Sequence, residues 1–151
     1  MMQTIYQSIL AFLGALGFSF LFNVRGKKVL ASAVGAVLSQ NVYLVFVHLY
    51  DDKVIGVFAA AITVAVLSEI LARIMKTPVI ILLVPMLIPL IPGSDLYYAT
   101  YNLVQNNGIE FAKNLSFVIK EAGAISFGII LVTCVVQVVM KIWNYFRTSG
   151  I

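Results

Sequence analysis

Long apolar runs without charged side chains constrain the fold of this chain more than any other feature. Four such runs contain no Asp, Glu, Lys or Arg, and a fifth is interrupted only by Glu69. A membrane-spanning helix needs roughly 20 apolar residues, with about 17–25 the usual range. The sequence therefore predicts an all-α polytopic membrane protein in one membrane domain. We expect spans at about 4–24, 29–50, 54–72, 77–94 and 122–142, with an extramembrane helical region at 95–121.

The composition agrees with a lipid environment. Of the 151 residues, 62% are hydrophobic and 11% are charged, whereas ordinary soluble domains have about 45–50% and 25%. A soluble domain of this size would have no way to bury so much apolar surface. The first run is expected to be a span and not a secretory signal, because no basic residues precede it.

The basic residues indicate an orientation. Seven of them follow the first, third and fifth spans: Arg25, Lys27, Lys28, Arg73, Lys76, Lys141 and Arg147. The other side has only three, Lys53, Lys113 and Lys120. Since basic residues concentrate on the cytoplasmic side, the N-terminus is predicted outside and the C-terminus in the cytoplasm. The net charge of +4 is then explained by topology and by contact with anionic lipid, and no nucleic-acid partner is expected.

All four prolines lie in one apolar stretch, "TPVIILLVPMLIPLIPGSD", residues 77–95. On a helix, Pro78, Pro85, Pro89 and Pro92 would fall on one stripe. Each proline removes a backbone donor, so a continuous helix would leave the carbonyls of Ile81, Pro85 and Ile88 free. Free carbonyls are tolerated only where protein, water or ligand meets them. The stretch is either a kinked helix packed in a bundle or, as we favour, an interrupted helix that lines a transport pathway.

The residues after the prolines predict a new helix. Gly93 is able to take a positive φ angle, and Ser94 and Asp95 are both good N-cap residues. A short helix is expected to end near residue 107, followed by one that starts near Glu110 and continues into the last span. A helix N-terminus with open N–H groups is a site for a carboxylate, although Asp95 could occupy those groups itself.

At this point the sequence resembles a known family. "VPMLIPLIPGSDLYYA" is similar to the proline-rich signature of the C-terminal membrane module of the threonine/serine exporter family. "GFSFLFNVRGK", with Asn23, resembles the turn after its first span, and "SEILARIMKTPVIILLVP", with Glu69, its Glu-x-x-x-Arg approach to a Thr-Pro. "AGAISFGI" resembles the start of its last span. Met86 stands where family members often carry glycine.

The resemblance implies a bacterial inner-membrane exporter of threonine and serine that uses the proton gradient. The family occurs as one fused chain or as two proteins, and this chain resembles only the second half. The resemblance therefore implies a second membrane subunit similar to the first half, or else self-association. Some two-protein members resemble succinate exporters, so a dicarboxylate remains an alternative carboxylate-bearing substrate. A non-conducting scaffold for a partner membrane protein is an alternative from a different class.

Polar residues inside the spans are the remaining candidates for function. Ser39, Gln40 and Asn41 either hydrogen-bond to other helices or contact substrate. Glu69 either pairs with Arg73 or carries protons. Close helix packing is expected at Gly14, Gly17, Gly35, Gly123 and Gly128. No enzyme motif, metal set or cofactor motif is recognised, so an enzyme is not expected. The predicted substrate-path residues are Asn23, Ser39, Gln40, Asn41, Glu69, Pro85, Pro89, Pro92, Gly93, Ser94, Asp95 and Tyr97.

Overall fold

The structure is a computed structural model that describes residues 2–148, and these residues form helices and no strand. Four of the described helices are long and apolar enough to cross a membrane, and the number is five if a bent pair of shorter helices forms one span. The predicted all-α fold with about five spans, one of them broken at prolines, is confirmed. The elements in chain order are α1 (Met2–Leu21), α2 (Lys27–Tyr50), α3 (Lys53–Ile74), α4 (Val79–Leu87), a 3-10 helix (Ile88–Leu90), α5 (Gly93–Val104) and α6 (Gly108–Thr148).

The bundle has two ends that the loops define. We call the end with the α2–α3 turn the Lys53 end; there Asp52 caps α3 by accepting a hydrogen bond from the Val54 N–H at 2.7 Å. At the opposite end, the Arg73 end, Lys28 Nζ donates to Thr77 Oγ1 at 3.0 Å. Since α2 has 24 residues, the two ends are about 36 Å apart.

Small residues allow the central helices to pack closely. Ala33, Ala36, Ala60 and Ala61 are fully buried, which is typical of helices that associate in membranes. Gly35 faces Met86, since a Cβ atom on Gly35 would lie 2.6 Å from the Met86 Cε atom. The large side chain at position 86 therefore fills space that a glycine on α2 leaves open.

The glycine predictions are only partly correct. A Cβ atom on Gly128 would contact Ala61 and the Phe58 carbonyl at 3.1 and 3.3 Å, so α6 packs closely on α3 there. A Cβ atom on Gly14, Gly17 or Gly123 would meet nothing within 4 Å. The prediction of close packing is wrong at these three glycines, because Gly17 and Gly123 lie on exposed faces of α1 and α6 and Gly14 borders an open groove.

The proline-rich stretch connects the two ends of the bundle. It begins beside Lys28 at Thr77 and reaches the Lys53 end at Asp95. Residues Val79–Leu90 and Gly93–Val104 are bent by 58° relative to each other. The helix is interrupted here, and the Ile88 carbonyl, which a continuous helix would leave free, accepts a hydrogen bond from Ile91 N at 3.3 Å. The tighter turn of the 3-10 helix supplies a donor that an α-helix would lack at Pro92.

The start of α5 also differs from the prediction. Pro92 occupies the N-cap position, and no side chain caps the helix, so Ser94 and Asp95 lie in its first turn instead. Gly93 does not have a positive φ angle; Gly26, at 69°, is the one described glycine that has. Pro92, whose φ of −72° is fixed by its ring, already turns the chain into α5.

Helix α6 is longer than a single membrane crossing. Its 41 residues extend about 60 Å. Phe127 stacks on Phe58 with ring centroids 6.0 Å apart, and Gly128 packs on Ala61, so α6 runs parallel to α3 over this part. Its first turns, up to about Lys120, continue past the Lys53 end beside α5.

Candidate functional site

A cavity of about 130 Å³ lies at the Lys53 end, where five of the helical elements meet. This volume is several times the roughly 10–15 Å³ that one buried water requires. The 3-10 helix and the start of α5 form one wall, with Pro89 and Pro92. The polar side chains that line it are Tyr43, Lys53, Ser94, Asp95 and Glu121.

An ion pair spans the cavity region between α3 and α5. Lys53 Nζ lies 3.6 Å from Asp95 Oδ2, with the lysine side chain 54% exposed and the aspartate side chain 15% exposed. Asp95 is in the first turn of α5, where the helix dipole stabilises a negative charge. The short turn before α3 and the proline-directed start of α5 therefore bring these two charges together.

Glu121 lines the same cavity from α6. The residue is 4% exposed, and within residues 2–148 its carboxylate has neither a hydrogen bond nor an ion pair. Taking a charge out of water is costly unless it is paired. The electrostatic influences on this carboxylate come from Asp95, which repels it, and from Lys53, which attracts it.

The cavity has a charge pattern that suits one kind of ligand. With all three groups ionised, two carboxylates and one ammonium give the site a formal charge of −1. The ammonium of Lys53 is a donor for a carboxylate, and the carboxylates of Asp95 and Glu121 are acceptors for an ammonium. The hydroxyls of Tyr43 and Ser94 add neutral donors and acceptors. This arrangement complements a small zwitterion better than a dianion.

A groove of about 270 Å³ lies on the other side of the 3-10 helix, between α1 and α2. Gln40 and Gln7 supply its amides, Ala11 and Gly14 line it with small groups, and Pro89 belongs to both the groove and the cavity. Gln40 is 8% exposed and makes no hydrogen bond among the described residues. The 3-10 helix is thus a thin partition between two spaces with polar linings.

The structure brings five of the predicted substrate-path residues together around this partition. Pro89, Pro92, Ser94 and Asp95 line the cavity, and Gln40 lines the groove. Gly93 is exposed next to the cavity wall, and Pro85 is buried inside α4 one turn before the 3-10 helix.

The other predicted residues have local roles elsewhere. Ser39 donates to the Ala36 carbonyl on its own helix at 2.9 Å. Asn41 donates to Ser8 Oγ at 3.1 Å and so connects α2 to α1.

The remaining three predicted residues also lie outside the cavity. Glu69 pairs with Arg73 at 2.7 Å at the opposite end of the bundle. Asn23, with a φ of 54°, lies in the turn after α1. Tyr97 is exposed and packs against Tyr98 and Tyr101.

The comparison with protein families matches almost the whole chain. The family described as "Threonine/Serine exporter, ThrE" matches residues 7–135. The chain belongs to this family. No curated protein and no solved structure matches it.

The threonine/serine exporter match and the apolar helices together identify a multi-pass membrane protein. The matched range contains every residue that lines the cavity and the groove. Within residues 2–148, no three His, Cys, Asp or Glu side chains are placed to hold a metal ion.

Three polar cavity residues of this exporter-family chain were missing from the predicted site: Tyr43, Lys53 and Glu121. For two of them the sequence indicates a location near the membrane surface, because Lys53 and Glu121 each come directly before an apolar run. Charges at the ends of two runs on the same side of a membrane lie at similar depth. Their presence in one cavity depends on which helices are neighbours, and the sequence alone does not contain that information.

Proposed function

We propose that this chain is the membrane subunit of a bacterial threonine/serine exporter in the inner membrane, and that the Lys53-end cavity binds the amino acid. The observation that carries the proposal is the presence of Lys53, Asp95 and the unpaired Glu121 in one cavity. Binding sites typically combine an apolar wall with a few convergent polar groups, and here the prolines provide that wall.

Bound serine or threonine would replace the present ion pair with two new ones. The substrate carboxylate would accept from Lys53 Nζ, while the substrate ammonium would donate to Asp95. Open N–H groups in the first turn of α5 add stabilisation for the carboxylate. The side-chain hydroxyl would lie near Tyr43 or Ser94. A dicarboxylate would find only one cation, so succinate is the less favoured substrate.

The proposed orientation puts the Lys53 end outside. It rests on the concentration of basic residues at the Arg73 end, which is typical of the cytoplasmic side. The cavity would then be the external part of the pathway. The bent proline segment, which reaches the cavity from the cytoplasmic side, would be the element that opens and closes it.

A partner subunit is supported by the groove beside Gln40. This glutamine is near the middle of α2, and an unsatisfied amide in lipid costs several kcal/mol. A second membrane subunit resembling the family's first half, or a second copy of this chain, would supply hydrogen-bond partners there and complete the pathway. The exposed apolar faces of α1 and α6 would contact lipid, and no nucleic acid is involved.

The proposal is tested by measuring export in the source organism, where any partner is present. Cells with the chromosomal gene intact or deleted are loaded with labelled threonine, serine or succinate, and the appearance of label outside is followed. Loss of threonine and serine export in the deletion strain supports the proposal. Loss of succinate export alone would establish the dicarboxylate alternative. Unchanged export of all three would favour a non-conducting scaffold.

A further inference from the structure

Two acidic residues are buried in the described part of the chain, and they differ in their surroundings. Glu69 is 9% exposed and is neutralised by Arg73, one helical turn away on α3. Glu121 is 4% exposed and has no ion pair. Glu121 borders a cavity with room for water. A counter-charge favours the ionised form of a carboxyl, and burial disfavours it, so a buried carboxyl without an ion pair and beside a water-sized cavity is the better placed of the two to take up and release a proton.

The charged and titratable groups around Glu121 come from three other helices. Lys53 projects from α3, Asp95 from α5 and Tyr43 from α2. Lys53 already pairs with Asp95 at 3.6 Å, so one ammonium serves two carboxylates. His48, Asp51 and Asp52 are exposed near the same end and do not line the cavity. One proton on Glu121 would bring the formal charge of the empty cavity from −1 to zero.

Resting on the proposed export function, we infer that Glu121 is the group that carries the coupling proton. After the substrate leaves outward, a Glu121 carboxylate oxygen takes a proton from hydronium. A new O–H bond forms, and the electron pair of the broken O–H bond stays on the water. When the cavity faces the cytoplasm, the carboxyl returns this proton to water. One proton then moves inward for each substrate moved outward, down the proton gradient.

The test uses inverted membrane vesicles from the source organism, with vesicles from the deletion strain as the blank. Two rates are measured with labelled serine: accumulation driven by a pH gradient, and serine–serine exchange at equal pH on both sides. For Glu121→Gln we expect gradient-driven accumulation to fall about tenfold or more, because an ionisable group that carries protons within the membrane is removed. Serine–serine exchange should slow but stay above the blank, because the amide oxygen of glutamine still accepts a hydrogen bond from the substrate ammonium. Glu121→Asp keeps a titratable carboxyl and should retain both rates. Glu110→Gln, an exposed acid on the same helix, is the matched control.

The outcomes separate this inference from the proposed function. The inference is overturned if Glu121→Gln accumulates serine at the parental rate when a pH gradient is applied. It is also overturned if Glu121→Gln, present at parental amounts, shows no exchange above the blank. If the parental protein exchanges serine but a pH gradient drives no accumulation, the inference is overturned and the proposed export function stands. If the parent shows neither exchange nor accumulation above the blank, the proposed function fails and the inference fails with it.

Discussion

Lys53 Nζ lies 3.6 Å from Asp95 Oδ2, so the start of α3 and the start of α5 meet at one end of the bundle. The pair is partly exposed on the lysine side. Such pairs contribute about 0–1 kcal/mol to stability, so stability alone gives a weak reason for this contact. The substrate-binding role proposed above would account for opposite charges beside a cavity that Glu121 also lines.

The first prediction follows from the small contribution of the Lys53–Asp95 ion pair to stability. Asp95→Asn should change the free energy of unfolding by less than about 1 kcal/mol, because a partly exposed ion pair contributes little and the loss of this carboxylate removes a repulsion with Glu121. Thermal unfolding of the purified protein in detergent measures this. A loss of several kcal/mol in this variant would mean that the pair holds the helices together, and its proposed role in binding would lose its support.

Pro89 is predicted to matter for export more than for folding. Alanine at this position restores a backbone N–H that is able to donate to the Pro85 carbonyl, and alanine is favoured over proline in a helix by up to about 3 kcal/mol. We expect Pro89→Ala to reach the membrane in parental amounts and to export serine poorly, because a straightened segment would alter both the cavity and the groove.

Pro78→Ala is the control for that variant. Pro78 lies at the start of α4 near the Arg73 end, outside both spaces, and its replacement should leave export close to parental. Parental export by Pro89→Ala would show that the prolines only kink a packed helix.

A third prediction contrasts two glycines. A Cβ atom on Gly56 would lie 2.5 Å from Val47 Cγ2 and 3.1 Å from the Tyr43 carbonyl, whereas one on Gly93 would meet nothing within 4 Å. Overpacking of this kind typically costs about 1–3 kcal/mol. Gly56→Ala should therefore lower the unfolding temperature and displace Tyr43, and Gly93→Ala should do neither. Equal unfolding temperatures for the two variants would contradict the packing between α2 and α3.

For the proline segment, the sequence alone predicts the apolar span and its interruption but not the local helix geometry. Spans follow from the absence of charges, and the break follows from proline chemistry. The 3-10 turn that satisfies the Ile88 carbonyl was not predictable, because a small change in helix pitch decides which donor reaches that oxygen.

The glycines and the cavity residues also show that the sequence alone does not specify which helices are neighbours. A glycine marks close packing only where another helix covers it, as at Gly35 and Gly128 but not at Gly17. Pro89, Pro92, Ser94 and Asp95 were found because they are close in sequence. Lys53 and Glu121 come together only through the packing of α3 against α6, and a single sequence does not specify which helices are neighbours.

The orientation is tested by cysteine labelling. Cys134 is the one cysteine of the chain, so it is first replaced by alanine. A cysteine introduced at Asp52 should react with a membrane-impermeant thiol reagent in intact cells, while cysteines at Lys27 and Lys76 should react only after the cells are opened. Labelling at Lys27 and not at Asp52 would reverse the orientation and place the cavity on the cytoplasmic side.

The central claim is that the Lys53-end cavity binds the exported amino acid, and export by Lys53→Met tests it most directly. Serine release is measured from cells with chromosomal Lys53→Met or Lys113→Met; the second changes an exposed lysine on α6 that pairs with Glu110. Losing a hydrogen bond to a charged group costs about 1.5–3 kcal/mol, so Lys53→Met should lower the initial export rate at low serine roughly tenfold to a hundredfold. Lys113→Met should leave it near the parental value. Equal, parental rates in both variants, at equal protein amounts, would contradict the assignment of the cavity.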